Sequence, residues 1–478
     1  MKFELLSESE LERIEQDSRK VLSTVGVKIK NSKALQIFDK AGAKVDHDAQ
    51  MVWIPDNLIE YALSKVSHSF IVWDRSGSES YDLNNGKTYG HNVGGCVRIH
   101  DYALGISRDA TEQDLILATG LIDSLENIHV CRPVVYPQEF PAEIRDIHTA
   151  ACMLQYTVKP YGVSAYSIKN LDTILRLVSL VSGSYDAFLA KPFIWGSVCP
   201  ASPLNYSEST TAILMKYAEI GLPVAIAPCP VSGGTSPVSL AGTLIQQNAE
   251  FLTGLVLVQI IHPGCQVKYT TRPIPMDMRT GTATFGSVEM GLMSTAIVQL
   301  AKKYGICSDV YGLGTSTFAF DPQNGFEKAL NGLLPVLAGA NLIAAAGLME
   351  DALTSSYEQL VIDNTILGNI FRIMRGINVS DETNALDLIQ KVGPGGNYLL
   401  EDHTRMHARQ ELYTSKICYR SGNQQYIEKG FTSITDAAHE QVQNMLAKGT
   451  TRVVDDSIAE NIAALLREMN STISQHKS

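Results

Sequence analysis

Eight short apolar runs recur along the middle of this chain, and what separates them decides the fold. They fall at residues 88–93, 128–136, 161–166, 193–199, 222–229, 266–271, 306–312 and 341–347. Between them lie stretches with apolar residues at helical spacing, among them 170–182, 207–219, 288–304 and 325–337. A strand that reads as a continuous apolar run is buried on both faces, as in a parallel sheet coated by helices. Eight such units in succession predict an α/β fold, the (β/α)8 TIM barrel. An open doubly wound sheet shares the alternation, but no GxGxxG follows the first run. The punctuation agrees with helices between strands. Thr111-x-x-Asp114 has the form of a capping box, and Gly221 and Gly305 stand where helices should stop.

The two ends follow a different rhythm. Ser7-x-x-Glu10 opens a helix whose apolar face is Leu11, Ile14, Val21 and Val25, and short extended pieces follow it. Residues 1–87 therefore read as an N-terminal α+β cap of helix and hairpins, and 88–376 as the barrel. Residues 377–478 read as a C-terminal helical extension ending in a polar tail.

Composition narrows the partners. Charged residues are 19% of the 478, against roughly 25% in an average globular protein, so much of the chain is interior. The net charge of -11 argues against nucleic acid or an anionic membrane as the main partner. Residues 1–20 carry charges and no apolar core, so no secretory leader is expected. The longest nearly apolar run, 251–261, falls short of the roughly 20 residues that span a bilayer. Eight scattered cysteines without a CxxC pattern suggest reduced thiols in a cytoplasmic protein.

In a barrel, function gathers at the C-terminal ends of the strands. Here those ends carry His91, Tyr136, Tyr166, Cys199, Cys229, Arg272, Tyr311 and Glu350: an aromatic, largely neutral rim with Arg272 as its one evident fixed cation. Aromatic residues on or just after the runs include Tyr166, Trp195, Tyr269 and Phe320. Several such rings converging on one mouth would cage a quaternary ammonium, at about 0.5–2 kcal/mol per contact. Other chemistries find less support. Glu350 and Asp351 are adjacent and cannot both face inward from one regular element. His403 and His407 share a helix face but lack the glutamate of a zinc protease. No GxSxG is present, and no cysteine has a neighbouring histidine in sequence. Gly312-x-Gly314-Thr315-Ser316 remains a candidate anion cradle, which leaves open a TIM-barrel enzyme acting on a phosphorylated small molecule.

Motifs along nearly the whole chain resemble the corrinoid-dependent trimethylamine methyltransferase family. They begin with Ala41-Gly42-Ala43-x-Val45-Asp46 and Ile54-Pro55. Thr280-Gly281, Gly286-x-x-Glu289 and Gln299-Leu300-Ala301-x-x-Tyr304-Gly305 follow. Asp321-x-Gln323-x-Gly325-x-Glu327, Ala338-Gly339-Ala340-Asn341, Gly347-x-x-Glu350 and Ser356-x-Glu358 come next. Gly393-Pro394-Gly395-Gly396-Asn397-Tyr398-Leu399 and His403-Thr404 close the series.

The resemblance implies a barrel whose mouth receives a methylated amine, and a Co(I) corrinoid on a separate partner protein that attacks the methyl carbon. A corrinoid-binding Asp-x-His-x-x-Gly is absent, since Asp146-x-His148 is followed by Ala151, so the cobalamin is expected on the partner. Members acting on trimethylamine carry pyrrolysine near the stretch 313–321, where this chain has only standard residues. That departure points to quaternary amines, which already leave as neutral amines. The expected substrate is thus betaine-type: proline betaine, glycine betaine or carnitine. Tyr166, Trp195, Tyr269 and Phe320 are the cage candidates and Arg272 the carboxylate partner. The family motifs add Asp321, Gln323 and Glu350 as catalytic candidates at the mouth. No metal is expected on this chain, and a homo-oligomer is an open expectation. A non-catalytic docking scaffold for a corrinoid carrier is the reading from another class.

Overall fold

The computed structural model describes residues 3–476 apart from Ser421, Lys429 and Phe431. Seven strands form one parallel sheet: β1 (Tyr89–Asn92), β3 (Tyr161–Val163), β4 (Ile194–Val198), β5 (Val224–Ile226), β6 (Val267–Thr271), β7 (Cys307–Tyr311) and β8 (Leu342–Ala346). Their order is β1-β8-β7-β6-β5-β4-β3. The eighth position, β2 at 130–131, is reduced to two parallel bridges, Val130 to His91 and Cys131 to Tyr161, and these close the barrel. Every residue of the seven strands is buried, which is why each reads as an unbroken apolar run.

Each strand is followed by its coat helix. In order these are α1 (Glu112–Asp123), α2 (Arg145–Tyr156), α3 (Ile168–Ser182), α4 (Glu208–Glu219), α5 (Leu240–Ile261), α6 (Val288–Tyr304), α7 (Pro322–Leu337) and α8 (Tyr357–Arg375). Thr111 and Asp114 form the expected reciprocal capping box, and Gly305 ends α6 in the left-handed conformation that glycine adopts without a Cβ clash. By length and composition α5 is apolar enough to cross a bilayer, yet 78% of its apolar window is buried inside the protein.

The cap closes the end of the barrel opposite the mouth. Phe70, Val72 and Leu83, from the hairpin Ile71–Trp73 and Ser80–Asp82, pack with Tyr89, Val130, Trp195, Ala225, Cys307 and Leu342. Those barrel residues stand at the starts of their strands, so the cluster is the barrel floor. At the other end the chain builds a rim of two small sheets. One joins Val231–Ser232, Ile274–Asp277 and Thr282–Ala283; the other joins Leu348–Met349, Thr354–Ser355, Arg98–Asp101 and Ile106–Asp109.

A buried ion pair anchors the loops after β7 and β8. Lys328 Nζ donates to the Leu313 carbonyl at 2.6 Å, the Leu348 carbonyl at 2.8 Å and Asp363 at 2.9 Å. Neither charged side chain is exposed. Beyond α8, helix Ile434–Leu446 packs on α8 and α1, and helix Asp456–His476 lies along α3.

Candidate active site

In a parallel barrel alternate residues face the axis. Along β6 these are Lys268 and Thr270, and Arg272 continues the series past its end. Lys268 Nζ lies 2.6 Å from Asp309 of β7 and 4.2 Å from the centre of the Trp195 ring, just above the floor. Burial opposes ionisation of Asp309, but Lys268 and its neighbours hold the carboxyl well below its ordinary range. His91, buried beside this pair, is pushed down to about 3 by desolvation and is neutral.

Above this layer two guanidiniums reach the mouth. Arg132, just past β2, donates to Ser197 at 3.1 Å and Ser164 at 2.9 Å. The Arg272 guanidinium carbon lies over Tyr311, 4.4 Å from the ring centre, and its buried Nε has no hydrogen-bond partner. Among the described residues neither arginine forms an ion pair with a carboxylate. Two fixed cations without a carboxylate ion-pair partner give this side of the mouth a capacity to bind an anion.

Cys199, past β4, is accessible in this mouth. A hydrogen bond with Cys229 and the nearby Arg272 and Arg132 lower its thiol to about 6. Tyr136 stands in the same electrostatic neighbourhood, its ring 6.2 Å from Tyr166 in an edge-on contact.

The opposite side of the mouth is acidic. Asp351 accepts hydrogen bonds from Ser316 Oγ at 2.6 Å and the Phe285 amide at 2.8 Å, and burial raises its pKa. Glu327 accepts from Thr315 Oγ1 at 2.5 Å and the Ser316 amide at 3.1 Å. Glu350, Asp351 and Ala352 occupy three successive left-handed backbone positions, with φ of 51°, 50° and 70°. Each such residue costs on the order of 1–3 kcal/mol, and strain of this kind collects at functional turns. Here it is held by amide bonds from Glu350 to the Thr317 carbonyl and from Asp351 to the Thr315 carbonyl. Phe285 is 5.9 Å from Tyr311, so two rings lead from the arginine side to the acid side.

The candidates from sequence land in different places. Arg272 and Tyr166 are at the mouth; Tyr166 is half-buried against Tyr136. Phe320 belongs to the rim, edge-on to His100 at 5.3 Å and near Tyr102. Two of the cage candidates lie away from the mouth. Trp195 is wholly buried at the floor, and Tyr269 turns outward, stacked on Phe251 of α5 at 3.7 Å and bonded to Asn248. Asp321 is the N-cap of α7, accepting from the Asn324 amide, and Gln323 is exposed and donates to Glu327. Glu350 accepts from Thr354 at 2.6 Å, turning away from Asp351's partners. In the Gly312–Ser316 stretch, the Thr315 hydroxyl and the Ser316 amide and hydroxyl already serve Glu327 and Asp351. His403 and His407 do share a helix face, their rings 4.2 Å apart.

The sequence pattern of the family described as trimethylamine methyltransferase (MTTB) matches residues 1–473. The chain belongs to this family. It is 32% identical over 463 residues to trimethylamine methyltransferase MttB of Desulfitobacterium hafniense (strain DSM 10664 / DCB-2), covering 97% of this chain and 93% of that protein. Trimethylamine methyltransferase MttB2 of Methanosarcina mazei is 34% identical, with 98% and 95% covered. The glycine betaine methyltransferase of Desulfitobacterium hafniense (strain Y51) is 28% identical, with 99% and 98% covered. In fold, the chain resembles the Methanosarcina barkeri monomethylamine methyltransferase at a TM-score of 0.51 and 10% identity, covering 92% of this chain and 89% of that one.

For a methyltransferase of this family, sequence reading placed Cys199 at a strand end but missed Arg132 and Asp351 as mouth residues. A signal for Arg132 existed: it stands two residues after Val130, on the same side of a two-sided apolar run. Lys268, Thr270 and Arg272 give the same signal more clearly, since three polar residues at period two in a buried strand must face a lumen. Asp351 offered none, because its partners are 35 and 66 residues away.

Proposed function

We propose that this chain transfers a methyl group from a betaine-type quaternary amine to the Co(I) corrinoid of a separate partner protein. The observation that carries the reading is the pair Arg132 and Arg272, without ion-pair partners, facing the same mouth as Tyr136, Tyr166, Tyr311 and Phe285. A betaine carries a carboxylate and a quaternary nitrogen a few bonds apart. The arginines suit the first, and the rings, with Asp351 beyond them, suit the second.

The arginines hold a carboxylate that stays the same throughout the reaction. They therefore lower KM more than they raise kcat. The rings act on the reacting end. They exclude water from a cation whose charge disperses as the methyl leaves, so they stabilise the transition state relative to the bound substrate. A quaternary nitrogen departs as a neutral amine and asks the chain for no proton, which fits a mouth whose acids are bonded to Ser316 and Thr354.

The partner's corrinoid supplies the nucleophile. Exposed apolar side chains ring the mouth where that partner would dock: Val238 and Met278 in loops beside one small sheet, Phe318 after β7, Leu353 after β8 and Leu104 on the hairpin after β1. The eight free thiols are in keeping with a reducing, cytoplasmic setting. Incubating the protein with reduced cobalamin and a panel of betaines, and following methylcobalamin by its absorbance, tests the reading. Methylation from at least one betaine is expected; no turnover of any quaternary amine would sink it.

A further inference from the structure

Two cysteines stand together at the mouth, just past neighbouring strands. β4 and β5 run parallel with Val198 beside Ile226, and the Ala227 amide donates to the Val198 carbonyl at 2.9 Å. Cys199 is therefore level with Ala227, and Cys229 lies two residues farther along the same face. The small Ala227 side chain leaves room between them. The Cys229 thiol turns back along this face and donates to the Ala227 carbonyl at 3.3 Å. From there it makes its hydrogen-bonding contact with Cys199. Each cysteine precedes a proline, Pro200 or Pro230, which favours an extended backbone at the cysteine.

The surroundings set this pair apart from the other thiols. The Arg272 amide donates to the Pro228 carbonyl at 3.3 Å and the Ile274 amide to the Pro230 carbonyl at 3.0 Å. Cys229 thus sits between two bonds that hold the Arg272 segment. Arg132 donates to Ser197, two residues before Cys199 on the same side of β4. Cys199 is exposed and Cys229 half-buried, and the guanidiniums favour the anionic form of the Cys199 thiol. Cys96, Cys131 and Cys265 are buried, and burial pushes their thiols up to about 12. An oxidant entering the mouth therefore meets one activated sulfur with a second beside it.

We propose that Cys199 and Cys229 are a redox-active pair, which a hydroperoxide closes to a disulfide and an external dithiol reopens. With hydrogen peroxide, the Cys199 thiolate attacks one peroxide oxygen. An S–O bond forms, the O–O bond breaks, and hydroxide leaves and is protonated to water by the proton the thiol had released. Cys229 then attacks the sulfur of the Cys199 sulfenic acid. The S–S bond forms as the S–O bond breaks, and the hydroxyl departs with the Cys229 proton as a second water. The two thiols lose two electrons and the peroxide gains them. Arg272 and Arg132 stabilise the anion that leaves in the first step. Closure also removes the thiolate beside these arginines, so the charge on this side of the mouth follows the redox state. The chemistry needs neither the amine nor the corrinoid.

Treating the full chain with hydrogen peroxide, then blocking with iodoacetamide and mapping peptides by mass spectrometry, tests the proposal. The Cys199 and Cys229 peptides should appear as one linked species, about 2 Da lighter than the two thiols together. Dithiothreitol should restore both as free thiols. In Cys229→Ser the reaction should stop at the Cys199 sulfenic acid, so dimedone should label Cys199 at least about tenfold more than in the wild type. Cys418→Ser should leave the link unchanged. A wild-type chain in which peroxide leaves both cysteines unmodified overturns the proposal, as does one in which Cys199 runs on to the sulfinic acid without linking. Equal dimedone labelling of Cys199 in the wild type and Cys229→Ser, or a link from Cys199 to any other cysteine, would also overturn it.

Discussion

The guanidinium carbon of Arg272 stands 4.4 Å from the centre of the Tyr311 ring, and its Nε is buried without a hydrogen-bond partner. The cation–π contact holds the guanidinium over the ring without using its donors. A cation held in this way, at the end of a barrel strand, is prepared for a planar anion, and the carboxylate of a betaine is one.

Arg272→Ala should therefore raise KM for a carboxylated substrate about 10–100-fold, the range of a lost charge-assisted hydrogen bond, while kcat changes by less than about threefold. Steady-state kinetics with the preferred betaine checks this. An unchanged KM would remove Arg272 from the site.

Asp351→Asn keeps an acceptor for Ser316 and the Phe285 amide but deletes the charge. Affinity for the quaternary amine should drop about three- to tenfold, with little change in thermal midpoint. Burial raises the Asp351 pKa, so the wild-type carboxylate takes up its proton at higher pH than an ordinary aspartate. Wild-type affinity should accordingly weaken on acidification before the usual carboxylate range, and the asparagine variant should bind independently of pH there. Calorimetric titration at several pH values measures both.

The thiolate of Cys199 is the reactive form, and its pKa of about 6 puts it in that form at neutral pH. Alkylation of Cys199 by iodoacetamide should turn on at lower pH than that of an ordinary thiol, which turns over near pH 8.5. The Arg272→Ala variant should move the midpoint upward. Peptide mapping after timed labelling reads the rate at each cysteine; a midpoint near that of a free thiol contradicts the assignment.

Lys328→Met leaves Asp363 buried with only the Gly347 amide and Gln359 as donors. Breaking such a pair costs about 3–5 kcal/mol, because the remaining charge stays desolvated. Denaturant unfolding should show a loss of that size, and adding Asp363→Leu should restore part of it.

The barrel was legible because parallel strands buried on both faces leave unbroken apolar runs, and all eight runs coincide with strand positions. The same burial hid which side each residue faces. Trp195 and Tyr269 were equal candidates in sequence, yet one lies on the barrel floor and the other against α5. In β6 the polar residues Lys268, Thr270 and Arg272 mark the inner side, which places Tyr269 outside. The capping role of Asp321 was also written locally, as an aspartate followed by Pro322 and bonded three residues on. Asp351 and Glu327 are joined through Ser316 only once the barrel is closed, and no local pattern marks Asp351.

The most direct measurement compares a betaine with its carboxyl-free counterpart. Initial rates of methyl transfer to reduced cobalamin should be taken for glycine betaine, proline betaine, carnitine, choline and trimethylamine, with wild type and Arg272→Ala side by side. At least one betaine should exceed choline and trimethylamine in kcat/KM by tenfold or more in the wild type, and that advantage should collapse in the variant. Trimethylamine turned over as well as any betaine, or a preference for betaines that survives loss of Arg272, would contradict the account.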